Sequence, residues 1–307
     1  MIERTHSHPG GTAVPADVVT VFALVALVAI EIFVTYSRLP AASLYHVSRE
    51  GVAGGAGRIL VFLNWPTALI AIAVLLLLID RFSGRLPRPA AVVGIGLCAV
   101  IFWPGVVRQS DLDARWVNLP AAVGVGLAVA LSLLAWRDGA LPRRALGRGD
   151  RVRLGIAVAV IVLAIPWIAA DLGFYLDGVP GLEWLFQTGD LRVQPGDAVP
   201  HPAVHHGHHH GMDGALLVLV VLLLSRQLAT MRRRGLRSLL AAYLALMLTY
   251  GLGNVANDAW LEQVVKRGWT DWEIPDVTEP RLSIAWAIIA VSTAAIWAVW
   301  RMRPSPR

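Results

Sequence analysis

The sequence predicts an all-α integral membrane protein, a bundle of about eight transmembrane helices. Three observations predict it. Hydrophobic residues make up 56% of the 307 and charged residues only 16%, with a mean hydropathy of +0.60, a more apolar balance than soluble domains carry. The apolar residues fall into eight runs, most close to the roughly 20 residues that cross a ~30 Å hydrocarbon core. The basic residues sit between those runs, and 18 of the 27 fall on one side if the runs alternate in direction. That asymmetry is the positive-inside pattern and places both termini in the cytoplasm of a cell-membrane protein.

The runs are taken in order. Residues 1–16 form a short polar tail containing His6 and His8, with no convincing signal-peptide n-region or cleavage site. A single polytopic domain over 17–300 follows, with spans expected at 17–37, 59–79, 90–107, 119–136, 154–174, 204–225, 238–258 and 282–300, and a cytoplasmic tail at 301–307. The stretch 40–58 reads as an outside connection or short interfacial helix. Two long outside segments, 173–203 and 259–281, carry several large aromatics each and read as ordered caps. Trp65, Trp103, Trp116, Trp167, Trp260 and Trp286 fall near outer ends and Trp136, Trp297 and Trp300 near inner ones, an interfacial aromatic belt.

A weak repeat is visible. Asn64-Trp65-Pro66 opens the second span and Asn118-Leu119-Pro120 the fourth, and each span is followed by a Gly/Leu/Pro/Arg loop. A parallel duplication of a two-helix unit is one reading; chance recurrence of helix-opening Asn-x-Pro is the other, with each Asn serving as an N-cap.

The basic charge does not indicate nucleic acid, because the arginines are distributed as membrane topology requires. The lipid bilayer is the expected partner, alongside a second copy or other membrane subunits. Of the 27 basic residues only Lys266 is lysine, which reads as compositional bias. The one cysteine, Cys98, excludes an intrachain disulfide and a thiolate metal site.

The strongest chemical signal is PHPAVHHGHHHGMDG, residues 200–214, just before the apolar run 215–224. Ten residues cannot span. With Arg226 and Arg232–Arg234 blocking extension on the far side, the helix is expected to start near Val204 and draw histidines into the outer leaflet. On that helix His206, His209, His210 and Asp213 fall at i, i+3, i+4 and i+7, one face. Imidazoles one turn apart with a carboxylate beyond them suit a transition metal such as zinc, copper or iron. His205, His208, His201, Glu31, Asp171, Asn254 and Asp258 are secondary candidates, since they collect at the same depth on other helices. A bland alternative stands beside each: a loose His-rich loop, a Glu31 paired with Arg38 or Arg58, and hydrated acids at the interface.

Four functions follow. The metal could serve a membrane enzyme acting on a lipid-soluble substrate. The acids could be stations in a transition-metal or proton transporter, although sites nearer the midplane would be expected. Haem ligation by histidines is a third reading, weakened because the other spans carry no histidine. A structural or assembly subunit is the fourth.

Overall fold

The computed structural model describes residues 17–41, 47–83, 86–108, 111–141, 147–171, 180–181, 191–192, 201–202, 209–278 and 282–302. Helix α1 is Asp17–Arg38, α2 Gly51–Phe62, α3 Ala68–Arg81, α4 Pro87–Cys98, α5 Leu119–Arg137, α6 Arg148–Asp171, α7 His209–Leu224, α8 Arg234–Trp260 and α9 Ile284–Met302. A two-residue antiparallel pair, Leu191–Arg192 with His201–Pro202, is the extended structure among the described residues. Among the described residues, six helical segments are long and apolar enough to cross a membrane: Asp17–Arg38, Gly51–Arg81, Trp116–Arg137, His210–Thr230, Arg234–Val265 and Ile284–Arg301. Helix α4 is shorter, even with the 3-10 turn Ala99–Phe102 that extends it.

Helix α3 is central. Every residue from Ala68 to Leu78 is buried, which its sequence permits because it is apolar all round. It packs against α4, α5, α7 and α8; α9 and α7 flank α8, α6 leans on α7, and α1 packs on α2 and α7. Helices α7 and α8 meet most closely. A Cβ on Gly214 would stand 2.6 Å from the Gly251 carbonyl oxygen, and one on Gly251 would stand 2.9 Å from that of Gly214. Only glycine on both sides lets the backbones approach this far, as in small-residue crossings of membrane helices.

The second span is longer than expected. Helix α2 runs into α3 through a π turn, Leu63–Thr67, broken at Trp65 (φ −158°, ψ 125°). Pro66 lacks an N–H and disfavours helical geometry in the residue before it, so the break falls there. Asn64 is therefore inside a helical rod rather than capping it, and its Oδ1 is buried without a hydrogen-bond partner among the described residues. Asn118 is placed differently. Its Oδ1 accepts from the Arg115 N–H at 2.8 Å in a 3-10 turn leading into α5. The two Asn-x-Pro motifs thus occupy unlike local structures.

The sixth span departs from the length argument. Helix α7 continues as a 3-10 turn, Ser225–Thr230, past Arg226. Arg226 does not stop it because its charge is met inside the protein. Its Nη1 lies 2.6 Å from Asp17 Oδ1 and its Nε 3.3 Å from Asp150 Oδ1, all three side chains being 3–6% exposed. Gln227 Nε2 donates to the other Asp17 oxygen at 2.6 Å, and Arg153 pairs with Asp150 at 3.0 Å. Next to them Asp80 accepts the backbone N–H groups of Arg232 and Arg233, both at 2.9 Å, while Arg81 donates to Thr230 and Gln227. Residues 210–230 are long and apolar enough to cross a membrane without the earlier histidines, so length alone does not draw His205, His206 or His208 into the hydrocarbon. The same lattice gathers the ends of α1, α3, α6, α7 and the start of α8 at one end of the bundle, as alternating crossings require.

Candidate functional site

The opposite end holds the polar groups that the sequence singled out. Glu31 and Thr35 are one turn apart on α1, both buried, and the Thr35 hydroxyl donates to Glu31 Oε1 at 3.2 Å. Arg58 comes from α2. It is 4% exposed, and its guanidinium lies over the Tyr36 ring, 5.5 Å from the centroid. Asp213 is buried on the first described turns of α7, with His210 one turn before it and half-buried. Both Arg58 and Glu31 lie within electrostatic range of the Asp213 carboxyl, and Asp276 and Arg58 act on His210 in the same way. The Gly214–Gly251 crossing brings α8 alongside, so that Asn254 Cβ lies against Gly214.

Helix α8 supplies Tyr250 and Asn254. The Asn254 amide donates to the Tyr250 carbonyl at 3.0 Å, and the Tyr250 hydroxyl donates to the Thr278 carbonyl at 3.3 Å. The segment after α8 folds back as a cap, through Asn257 Nδ2 to the Ile274 carbonyl at 2.6 Å and Trp260 Nε1 to the Trp272 carbonyl at 2.9 Å. This is how Asp276 and Thr278 reach the cluster; of the cap expected over 259–281, residues 259–278 are described and fold back in this way.

Two features of the cluster are chemically open. Asp213 Oδ1 and Arg58 Nε and Nη1 are buried without hydrogen-bond partners among the described residues. Buried polar atoms ordinarily find partners, so these orphans mark room for a ligand, ion or water. Beside them is a cavity of about 430 Å³, walled by Trp65, Phe102, Trp103, Met247, Tyr250 and Trp286, with Arg108 at its edge. That volume suits a small ligand or a lipid headgroup region. Trp65 packs edge-on against Tyr250 at 5.5 Å, and Tyr250 stacks with Trp286 at 5.9 Å, so Tyr250 belongs to both cavity wall and polar cluster.

The predicted residues divide as follows. Glu31, His210, Asp213 and Asn254 come together. Asp258 instead keeps to a second buried cluster with Glu262 and Lys266. His201 lies in the short strand pair opposite Arg192. His205, His206 and His208 fall outside the described residues, as do the side chains of His201, His209 and Asp171. Among the described residues no three His, Cys, Asp or Glu side chains gather closely enough to hold a metal ion by themselves. The sequence alone offers Arg58 as one of two structural partners of Glu31, with Arg38, and does not single out Asp276, Glu262 or Lys266 as site residues. A buried arginine between carboxylates shows only in the tertiary contacts. Lys266 did carry a signal, as the single lysine of an arginine-rich chain.

No protein-family model, curated protein or solved structure matches this chain.

Proposed function

We propose that this is a multi-pass membrane protein whose Glu31–Arg58–His210–Asp213 cluster, at the outer leaflet, holds a transition-metal ion and acts on a lipid-soluble molecule seated in the adjoining aromatic cavity. Tyr250 carries this reading, because one side chain lines the cavity and faces the polar cluster. The Asp213 oxygen that has no hydrogen-bond partner among the described residues and the neighbouring His210 would supply two ligands; His206 and His209, close by in sequence, would complete the set. The metal would supply Lewis acidity to a polar group of the substrate. Arg58 would hold a negative charge developing there, and the cap over 259–278 would limit water.

The topology belongs to the same reading. Helices α4 and α6 are taken as the third and fifth of eight crossings, with both termini in the cytoplasm of a cell membrane. The transport alternative is disfavoured by the far end of the bundle, where Asp17, Asp80 and Asp150 are engaged in fixed ion pairs and backbone contacts.

The test is elemental analysis of protein purified in detergent without a histidine tag. One zinc, copper or iron per chain is expected, lost in the His210→Ala plus Asp213→Asn variant. Substoichiometric metal that this pair leaves unchanged would overturn the proposal. A haem absorption band, or ion flux in proteoliposomes that depends on Asp213, would replace it with the haem or transport reading.

A further inference from the structure

The second buried cluster continues a pattern that the site begins. Tyr250, Asn254, Asp258, Glu262 and Lys266 recur at intervals of four along α8 and its extension, and all five are no more than 5% exposed. In a helix of 3.6 residues per turn, steps of four drift about 40° each, so such a row should wind away from any one partner. Here the π turn Leu261–Val265 intervenes, with the Lys266 N–H donating to the Leu261 carbonyl at 2.9 Å. Its wider turn winds the row back and keeps Glu262 and Lys266 on the buried side. The row is about 24 Å long, at 1.5 Å per residue.

Its members are in electrostatic or hydrogen-bonded sequence. Lys266 Nζ lies 2.7 Å from Glu262 Oε1. Asp258 interacts with both Glu262 and Lys266. Asn254 follows one turn on and bonds the Tyr250 carbonyl. Asp258 is 1% exposed, and its Oδ2 has no hydrogen-bond partner among the described residues. Lys266 stands two residues from exposed Gly268 and three from exposed Trp269. Of the 27 Lys and Arg residues in the chain, the one in this row is the single lysine, whose ammonium gives up a proton far more readily than a guanidinium.

We propose that Lys266, Glu262 and Asp258 form a proton relay between the surface at the Lys266 end of α8 and the buried row leading to Tyr250. The Lys266 ammonium passes a proton to the Glu262 carboxylate, leaving a neutral amine and a carboxylic acid. Glu262 passes it to Asp258, regaining its own charge, and the amine takes a proton from water. The sum is one proton moved from water to Asp258, and the reverse steps return it. Among the described residues the charged groups acting on Asp258 are Glu262 and Lys266. Glu31, Arg58, His210, Asp213 and Asp276 surround the far end of the row.

The relay does not require the metal, so it is tested on chelator-treated full-length protein in nanodiscs. Infrared difference spectra over a pH titration should show a carboxylic-acid carbonyl band that is absent in Asp258→Asn. After a jump into heavy water, that band should shift at least ten times more slowly in Lys266→Arg, which keeps the charge and the ion pair but cannot release a proton. Glu262→Gln serves in place of Lys266→Arg if that variant fails to fold, with the same slowing expected. No Asp258 band at any pH, or an equal exchange rate in the variants, would overturn the relay. Either result leaves the metal measurement unaffected.

Discussion

The Gly214→Ala substitution probes the contact on which the whole site depends. Its new Cβ would lie 2.6 Å from the Gly251 carbonyl oxygen and 3.1 Å from Asn254 Cβ and Val255 Cγ2. Ordinary contact begins near 3.4 Å, so α7 and α8 must separate by about 0.8 Å against backbone that cannot rotate away. Overpacking of this kind costs roughly 1–3 kcal/mol. Gly96→Ala is the internal control, because nothing lies within 4 Å of its Cβ. There the substitution should stabilise by about 0.5–1 kcal/mol, the helix-propensity difference between glycine and alanine. Both are measured in detergent by the midpoint of unfolding in a denaturing-detergent titration followed by tryptophan fluorescence. Gly214→Ala is expected to lower the midpoint and Gly96→Ala to raise it slightly. Separation of the helices also moves Asp213 away from Asn254, so metal content should fall in the first variant and not in the second. Equal stability of the two variants would refute the close crossing and the placement of Asp213 beside α8 with it.

Other outcomes follow from the same contacts. Arg226→Ala leaves Asp17 and Asp150 buried, though Asp17 keeps Gln227 and Asp150 keeps Arg153 and the Gly147 N–H as donors; a loss of about 3 kcal/mol is expected in the same titration, at the low end for breaking a buried ion pair. Gln227→Ala removes the hydrogen bond to the Asp17 carboxylate and the acceptor it offers Arg81, and should cost at least about 1.5–3 kcal/mol, the range for one hydrogen bond to a charged group. Trp286→Ala removes a wall of the cavity without touching Asp213. Native mass spectrometry should show that it loses copurified lipid or small amphiphile while keeping its metal. A reporter fused after Arg234 should be cytoplasmic, because Arg232 and Arg233 lie at the end of the bundle where Asp17, Asp80 and Asp150 meet; an outside signal would mean that α7 does not cross.

Helix positions were legible because burial in lipid demands long apolar runs, and such runs are local in sequence. The boundaries were less so. The Gly51–Arg81 rod and the Arg234–Val265 rod overrun their apolar stretches at polar residues, Arg58 in one and Glu262 in the other. These residues are tolerated because Tyr36 covers Arg58 and Lys266 pairs with Glu262. The candidate site was legible as a depth, since Glu31, Asp213 and Asn254 were expected at one level. The face they share was not.

By itself the sequence determined the helical membrane class, the order of the apolar runs, and the level at which the acids collect. Hydropathy and charge spacing are properties of neighbours along the chain. The tertiary structure alone decided that Arg226 ends nothing, because its neutralising partner, Asp17, is 209 residues away. It also decided that Arg58 and Asp276 join the Asp213 cluster while Asp258 turns to Glu262 and Lys266. A charge buried in a membrane protein is tolerated according to what stands against it in space, and that partner comes from another helix or another turn.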